Sequence, residues 1–256
     1  MNRIVITIIL IFVFGGLRTP YEISLQKAES KARFKTEALN LSLREKIGQT
    51  SFLAALSGFR SLVAAFLWID AHNAWERTEW GRMAGIFDTV TRLQPHSILY
   101  WDMSAWHMAW NATAAVRDDT KQAPLLRERT IRQYYDLGKN FLERGISNNP
   151  DEYFLYERLG NLERDKYGDH CAAAAAFAKA ATFPQAPEYV KRFAVYELTQ
   201  CPGKEREAYQ KLRELYDHGE KERMPTLLKR LQEMEKTLDI PENQRIHIPD
   251  SATEKK

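Results

Sequence analysis

Glycine and proline are scarce in this chain, with 12 and 10 copies in 256 residues, and they fall mostly where helices would end. Alternation of β-branched residues is absent after residue 20, so a mostly helical chain is expected. Neither sign of charge dominates: 37 basic side chains face 34 acidic ones, with no long basic run. That balance argues against nucleic acid as a partner. Also missing are a nucleophile elbow and any recognisable spacing of three or four metal ligands. The expectation is therefore no enzymatic activity, no cofactor and no metal. What the chain does have is aromatic and apolar bulk, with six Trp, eleven Tyr and twelve Phe. It is too apolar to stay unfolded, and long enough to bury a sizeable core or to stack several helical repeats.

The stretch 149–187 holds one complete pair of helices. Tyr156, Leu159 and Gly160 share a side of the first, and Ala173, Phe177 and Ala180 share a side of the second, at helical spacing. Large residues facing small ones let two helices approach closely, and Pro184 and Pro187 stop the second helix. This order of aromatic, Leu-Gly, then Ala, aromatic, Ala and Pro resembles the tetratricopeptide repeat. Its helix spacing recurs at Met83, Phe87 and Val90, and again at Gly138, Leu142 and Gly145, with Pro95 and Pro150 each one position further from the helix than Pro184 is. Trp101 follows Pro95 by the same step with which Tyr156 follows Pro150. After Pro187 the match decays: Phe193, Ala208, Leu212 and Leu215 keep register, with Pro202-Gly203 as the turn. Residues 224–238 read as a terminal capping helix carrying Leu227, Leu228, Leu231 and Met234. The resemblance implies an all-α fold, a right-handed α-solenoid of stacked helical hairpins over residues 51–238. The unit between Trp101 and Pro150 is too long for the family, so either its helices are longer or the 111–124 connection is an ordered excursion.

Residues 1–19 contain an apolar run from Ile4 to Phe14 behind a single Arg3. It is short for a full span and reads as a signal peptide or a retained signal anchor. Lys and Arg residues after the run argue for a cytoplasmic domain, whereas the short basic start before an apolar core is that of an export signal. We favour export, which places the domain outside the inner membrane, in the periplasm or beyond. Residues 20–50 form an amphipathic linker, with Ala28, Ala32, Leu39, Leu43 and Ile47 on one stripe and a helix stop with a new N-cap at 48–51. It serves as a stalk or as a lid on the first repeat. The 52–69 segment is apolar around a central Arg60, which is costly in hydrocarbon, so a buried helix is expected there. A disordered tail is expected over 239–256. Cys171 and Cys201 lie about one repeat apart; they are either a disulfide, which requires an oxidising compartment, or two separate buried thiols.

All six tryptophans fall between positions 68 and 110. Trp75, Trp101, Trp106 and Trp110, with His72 and His107, are the candidate partner-binding residues, because indole offers a large apolar face and one N–H donor. Core packing of bulky first repeats is nevertheless the favoured reading of the same cluster. Ser104, His107 and Asp102 make a hydrolytic triad only on paper. The resemblance implies a membrane-anchored scaffold for protein–protein interaction, binding a segment of an unidentified protein on its concave face. Two alternatives stand beside it: a cell-envelope glycan-binding module, for which the indoles line an open groove, and a structural subunit of a membrane assembly, for which 52–69 presents an exposed apolar patch.

Overall fold

In the computed structural model, residues 57–246 are described. The N-terminal apolar run, the amphipathic linker and the last ten residues lie outside that range. The described residues are all-α, with no strand among them, and none of their helices is long and apolar enough to cross a membrane. The chain divides between Gln94 and Pro95 into two compact units.

The first unit is a hairpin of α1 (Arg60–Glu76) and α2 (Trp80–Leu93). The buried positions of α1 are all alanine: Ala64, Ala71 and Ala74. Those of α2 include Met83, Phe87 and Val90, so large groups pack on small ones and the axes come close. Trp68 closes the contact, its ring 5.3 Å from that of Phe87. Arg82 also reaches Asp70 at 2.8 Å; both groups are well exposed, and an ion pair in water adds little.

The second unit is a succession of helices. A first rod runs through α3 (Ile98–Trp106), a π-helical segment (His107–Ala112) and α4 (Thr113–Asp118), and α5 (Pro124–Asn148) returns along it. Then come α6 (Tyr153–Leu162), prolonged by a second π segment (Glu163–Tyr167), and α7 (His170–Ala180). The last three are α8 (Glu188–Leu198), α9 (Glu205–Asp217) and α10 (Pro225–Thr237). Packing runs mainly between chain neighbours, α5 on α6, α6 on α7, α7 on α8, α8 on α9 and α9 on α10, with α3 also touching α6. The ends have local causes. Pro124 and Pro225 start α5 and α10, where a missing N–H costs nothing, and Asp169 caps α7 by accepting from Ala172 N at 2.9 Å.

The recurrent spacings are packing positions. Gly160 is in van der Waals contact with Phe177; a Cβ there would lie 2.9 Å from the ring. The step from proline to aromatic is a repeated hydrogen bond. Trp101 Nε1 donates to Pro95 O at 2.8 Å and the Tyr156 hydroxyl to Pro150 O at 3.3 Å. Each ties the entry of a hairpin to its first helix. Four buried glutamates are answered from other elements: Tyr189 donates to Glu157, Lys139 pairs with Glu163, His170 with Glu197, and Tyr209 and Ile246 N both donate to Glu235. A buried carboxylate without such partners would cost several kcal/mol. Cys171 and Cys201 are joined as a disulfide, their Cα atoms 4.9 Å apart, linking the start of α7 to the end of α8.

Of the two readings of the long unit, the structure shows the longer helices, with a connection of only 119–123 between α4 and α5. One expectation changes. The tail begins later than Asp239, because Ile240 and Ile246 pack on the core of α9 and α10 and Glu235 holds the backbone of both.

Candidate functional site

The tryptophans divide by unit. On α1, His72 and Trp75 are exposed, with ring centroids 5.4 Å apart, and His72 Nε2 lies 3.5 Å from Glu76 Oε1. On the other unit, Trp101 is 1% exposed. This corrects its place among the partner-binding candidates: its ring is wedged against Gly145, its N–H is taken by Pro95 O, and it is a core residue. Trp106 is 43% exposed and Trp110 is half-buried.

Trp106 and Trp110 line a cleft of about 500 Å³ between the first helices of two successive hairpins. One wall carries Asp102, Met103, Trp106 and Trp110 from the α3 rod; the other carries Arg158, Asn161 and Asp165 from the α6 rod. Ala105 and Leu142, both fully buried, close the bottom. The polar residues are held in place. Arg158 Nε sits 3.0 Å from Asp102 Oδ1 across the cleft, with its guanidinium 4.4 Å from the Phe154 ring. Arg164 donates to Asn161 Oδ1 at 2.9 Å and to Asp165 Oδ1 at 2.7 Å, which leaves the Asn161 amide N–H groups unused by the described residues. Lys166 lies 4.6 Å from the centre of the Trp110 ring, a cation–π contact that fixes the indole.

Burial holds the Asp102 carboxyl above its ordinary value; Arg158 opposes the rise and the nearby Glu157 adds to it. Lys166 is lowered, by burial first and then by Arg117. An apolar floor, two indoles and a few fixed polar groups form the composition of a recognition site.

The Ser104, His107 and Asp102 side chains are each engaged by other partners. Ser104 Oγ donates to Tyr100 O at 2.6 Å, His107 Nδ1 is 3.0 Å from Asn111 Nδ2, and Asp102 faces Arg158. Trp106 and His107 meet edge to face, with centroids 5.1 Å apart. Among the described residues no three His, Cys, Asp or Glu side chains converge as metal ligands would. Sequence reading missed Arg158, Asn161 and Asp165. Their only signal was position, on the first helix of the next hairpin opposite the Trp-bearing one.

No family model matches the chain, and neither a curated protein nor a solved structure does.

Proposed function

We propose that this chain is a scaffold that binds a segment of another protein in the cleft between the α3 and α6 rods. In this reading the helices of the second unit form a right-handed α-solenoid of tetratricopeptide-like hairpins. The Ile4–Phe14 run attaches it to the inner membrane, and the helical domain lies on the extracytoplasmic side. Support for the solenoid comes from packing between chain neighbours and from the matched bonds to the carbonyls of Pro95 and Pro150. Support for export comes from the Cys171–Cys201 pairing, which persists in an oxidising compartment.

One observation carries the partner reading. An exposed indole, Trp106, stands over an apolar floor and opposite the fixed polar side chains Arg158 and Asn161. Anchors of this kind concentrate binding energy, with about 2 kcal/mol or more lost on truncation of a hot-spot residue. The test is affinity capture from detergent-solubilised membranes with the wild type and with Trp106→Ala/Asn161→Ala, followed by titration of the captured protein in purified form. A partner that binds the wild type and binds the variant at least ten-fold more weakly, at unchanged helicity, supports the reading. The same partners recovered with equal affinity by both would end it.

A glycan ligand is the second reading, favoured by the closeness of the flat Trp106 face to the hydrogen-bonding groups of Asp102 and Asn161. It predicts co-sedimentation with purified cell-envelope glycan that Trp106→Ala abolishes.

A further inference from the structure

Two cations at the Trp110 end of the cleft pair with no carboxylate among the described residues. Lys166 follows Asp165 in the α6 rod and is half-buried, its ammonium 4.6 Å from the centre of the Trp110 ring and 5.7 Å from that of Tyr135. Arg117 is exposed near the end of α4, and its guanidinium donates to the Tyr135 hydroxyl at 3.4 Å. Tyr135, on α5, therefore has one cation over its ring and the other on its oxygen.

The carboxylates around this corner are already engaged. Glu163 pairs with Lys139 at 2.6 Å and Asp165 with Arg164 at 2.7 Å. Asp136 accepts from the Tyr167 hydroxyl at 2.6 Å and lies 3.6 Å from Arg132, whose guanidinium also sits 4.2 Å from the centre of the Tyr167 ring. Each carboxylate thus has its own donor, and two positive charges are left over. An aromatic face attracts a cation without cancelling its charge, and the two cations repel: burial first, and then Arg117, lowers Lys166. An anionic oxygen between them would relieve the repulsion and accept charge-assisted bonds from both. The Tyr135 O–H proton, which no described residue accepts, supplies a third donor.

We infer that Arg117, Lys166 and the Tyr135 hydroxyl form an anion subsite at the end of the cleft, and that the protein segment bound there carries an acidic side chain beside its apolar anchor. The inference rests on the reading of the cleft as a partner site and adds the partner's chemistry to it. Trp110 joins the two parts, since it lines the cleft and also holds Lys166 on its ring. From Trp106 to Arg117 the rod advances about 16 Å, which an extended segment covers in about five residues. The acid therefore stands within about five residues of the side chain seated at Trp106.

The test uses the full chain in lipid nanodiscs and follows the indole N–H resonances of Trp106 and Trp110 during titration. The probes are the peptide acetyl-Leu-Ala-Ala-Glu-Glu-amide, the same peptide with Gln in place of Glu, and inorganic phosphate. The acidic peptide should shift both indoles and bind at least ten-fold more tightly than the Gln peptide. Arg117→Gln/Lys166→Gln should abolish that preference and leave the affinity for the Gln peptide unchanged. Lys204→Gln/Lys229→Gln, an equal loss of charge at exposed sites elsewhere, should preserve it. Equal affinity of the two peptides for the wild type, no response of Trp110 to the acidic one, or a preference that survives Arg117→Gln/Lys166→Gln overturns the inference. So does a Trp110 response to phosphate with no preference between the peptides, which marks an adventitious ion only. Titration of a captured partner separates the two readings. A partner weakened by Trp106→Ala/Asn161→Ala and untouched by Arg117→Gln/Lys166→Gln ends the anion subsite and leaves the cleft standing, whereas a partner that neither variant weakens ends both.

Discussion

Gly138→Ala tests how closely the α3 rod and α5 approach. A Cβ at 138 would lie 2.8 Å from the Ala109 Cβ, 3.0 Å from the Ala105 carbonyl oxygen and 3.3 Å from Ala109 N. These neighbours are helix backbone and a methyl group bonded to it, so no flexible side chain can swing aside. Overpacking a rigid contact costs about 1–3 kcal/mol, while replacing a helical glycine by alanine gains about 1 kcal/mol. With backbone on the receiving side the upper part of the range applies, and the net loss is about 1–2 kcal/mol. Gly85→Ala is the matched control, for nothing lies within 4 Å of its added methyl and the propensity gain of about 1 kcal/mol stands alone. Urea denaturation followed by far-ultraviolet circular dichroism reads both. Adding Ala109→Gly to Gly138→Ala removes the nearest atom, and the double-mutant cycle should show a favourable coupling above about 0.5 kcal/mol. If Gly138→Ala is neutral or stabilising, as Gly85→Ala is expected to be, the two helices are not in contact and the packing argument fails.

Two further perturbations probe the second unit. The Cys171–Cys201 disulfide closes a 30-residue separation, so its reduction should lower stability by about 3–4 kcal/mol in the chain-entropy account; native-state thiol labelling without reductant would show instead that the pair is not bonded. Asp102 supplies a pH test with a definite sign. Its folded-state carboxyl is raised by burial against the pull of Arg158, so the folded chain holds that proton more tightly than the unfolded chain does. Its contribution therefore falls as pH rises from the ordinary aspartate value through the raised one. The stability of Asp102→Asn relative to wild type should accordingly increase across that window in urea melts between mildly acidic and neutral pH, and the opposite slope would mean that attraction to Arg158 outweighs burial.

Helix positions and their packing faces were legible wherever spacing repeated. Met83, Phe87 and Val90, then Gly138, Leu142 and Gly145, then Ala173, Phe177 and Ala180 are all buried, because each set occupies one side of a regular helix. The capping helix was legible for the same reason, with Leu227, Leu228, Leu231 and Met234 buried on α10. The cleft was only half legible. A cluster of indoles reads the same whether it is sealed or open, and Trp101 and Trp106 differ in burial through their place on the rod and not through residue type. Arg158 and Asn161 look like ordinary exposed helix residues until the α6 rod is set beside the α3 rod. The chain between Asp239 and Ile246 was misread because its anchor, the Glu235 carboxylate, sits on another element.

The π segments explain why the cleft wall is coherent. In the α3 rod the buried residues recur every fourth position, as Trp101, Ala105, Ala109, Thr113 and as Ser104, Met108, Ala112, Val116. A regular helix turns about 100° per residue, so each four-residue step drifts by about 40°. Over three steps the stripe would rotate by roughly a third of a turn and carry its end away from α5. The π segment His107–Ala112 winds more slowly and absorbs that drift. Asp102, Trp106 and Trp110 share the same spacing, so they too stay on one line, facing the cleft. The α6 rod has its own π segment, Glu163–Tyr167, at the corresponding place, and it contributes Asp165 to the opposite wall. An uninterrupted α-helix could keep Trp106 at the cleft or keep Val116 in the core, but not both. The four-residue repeat and the π turn are therefore one device, and its consequence is that two indoles and a carboxylate line up on a single wall.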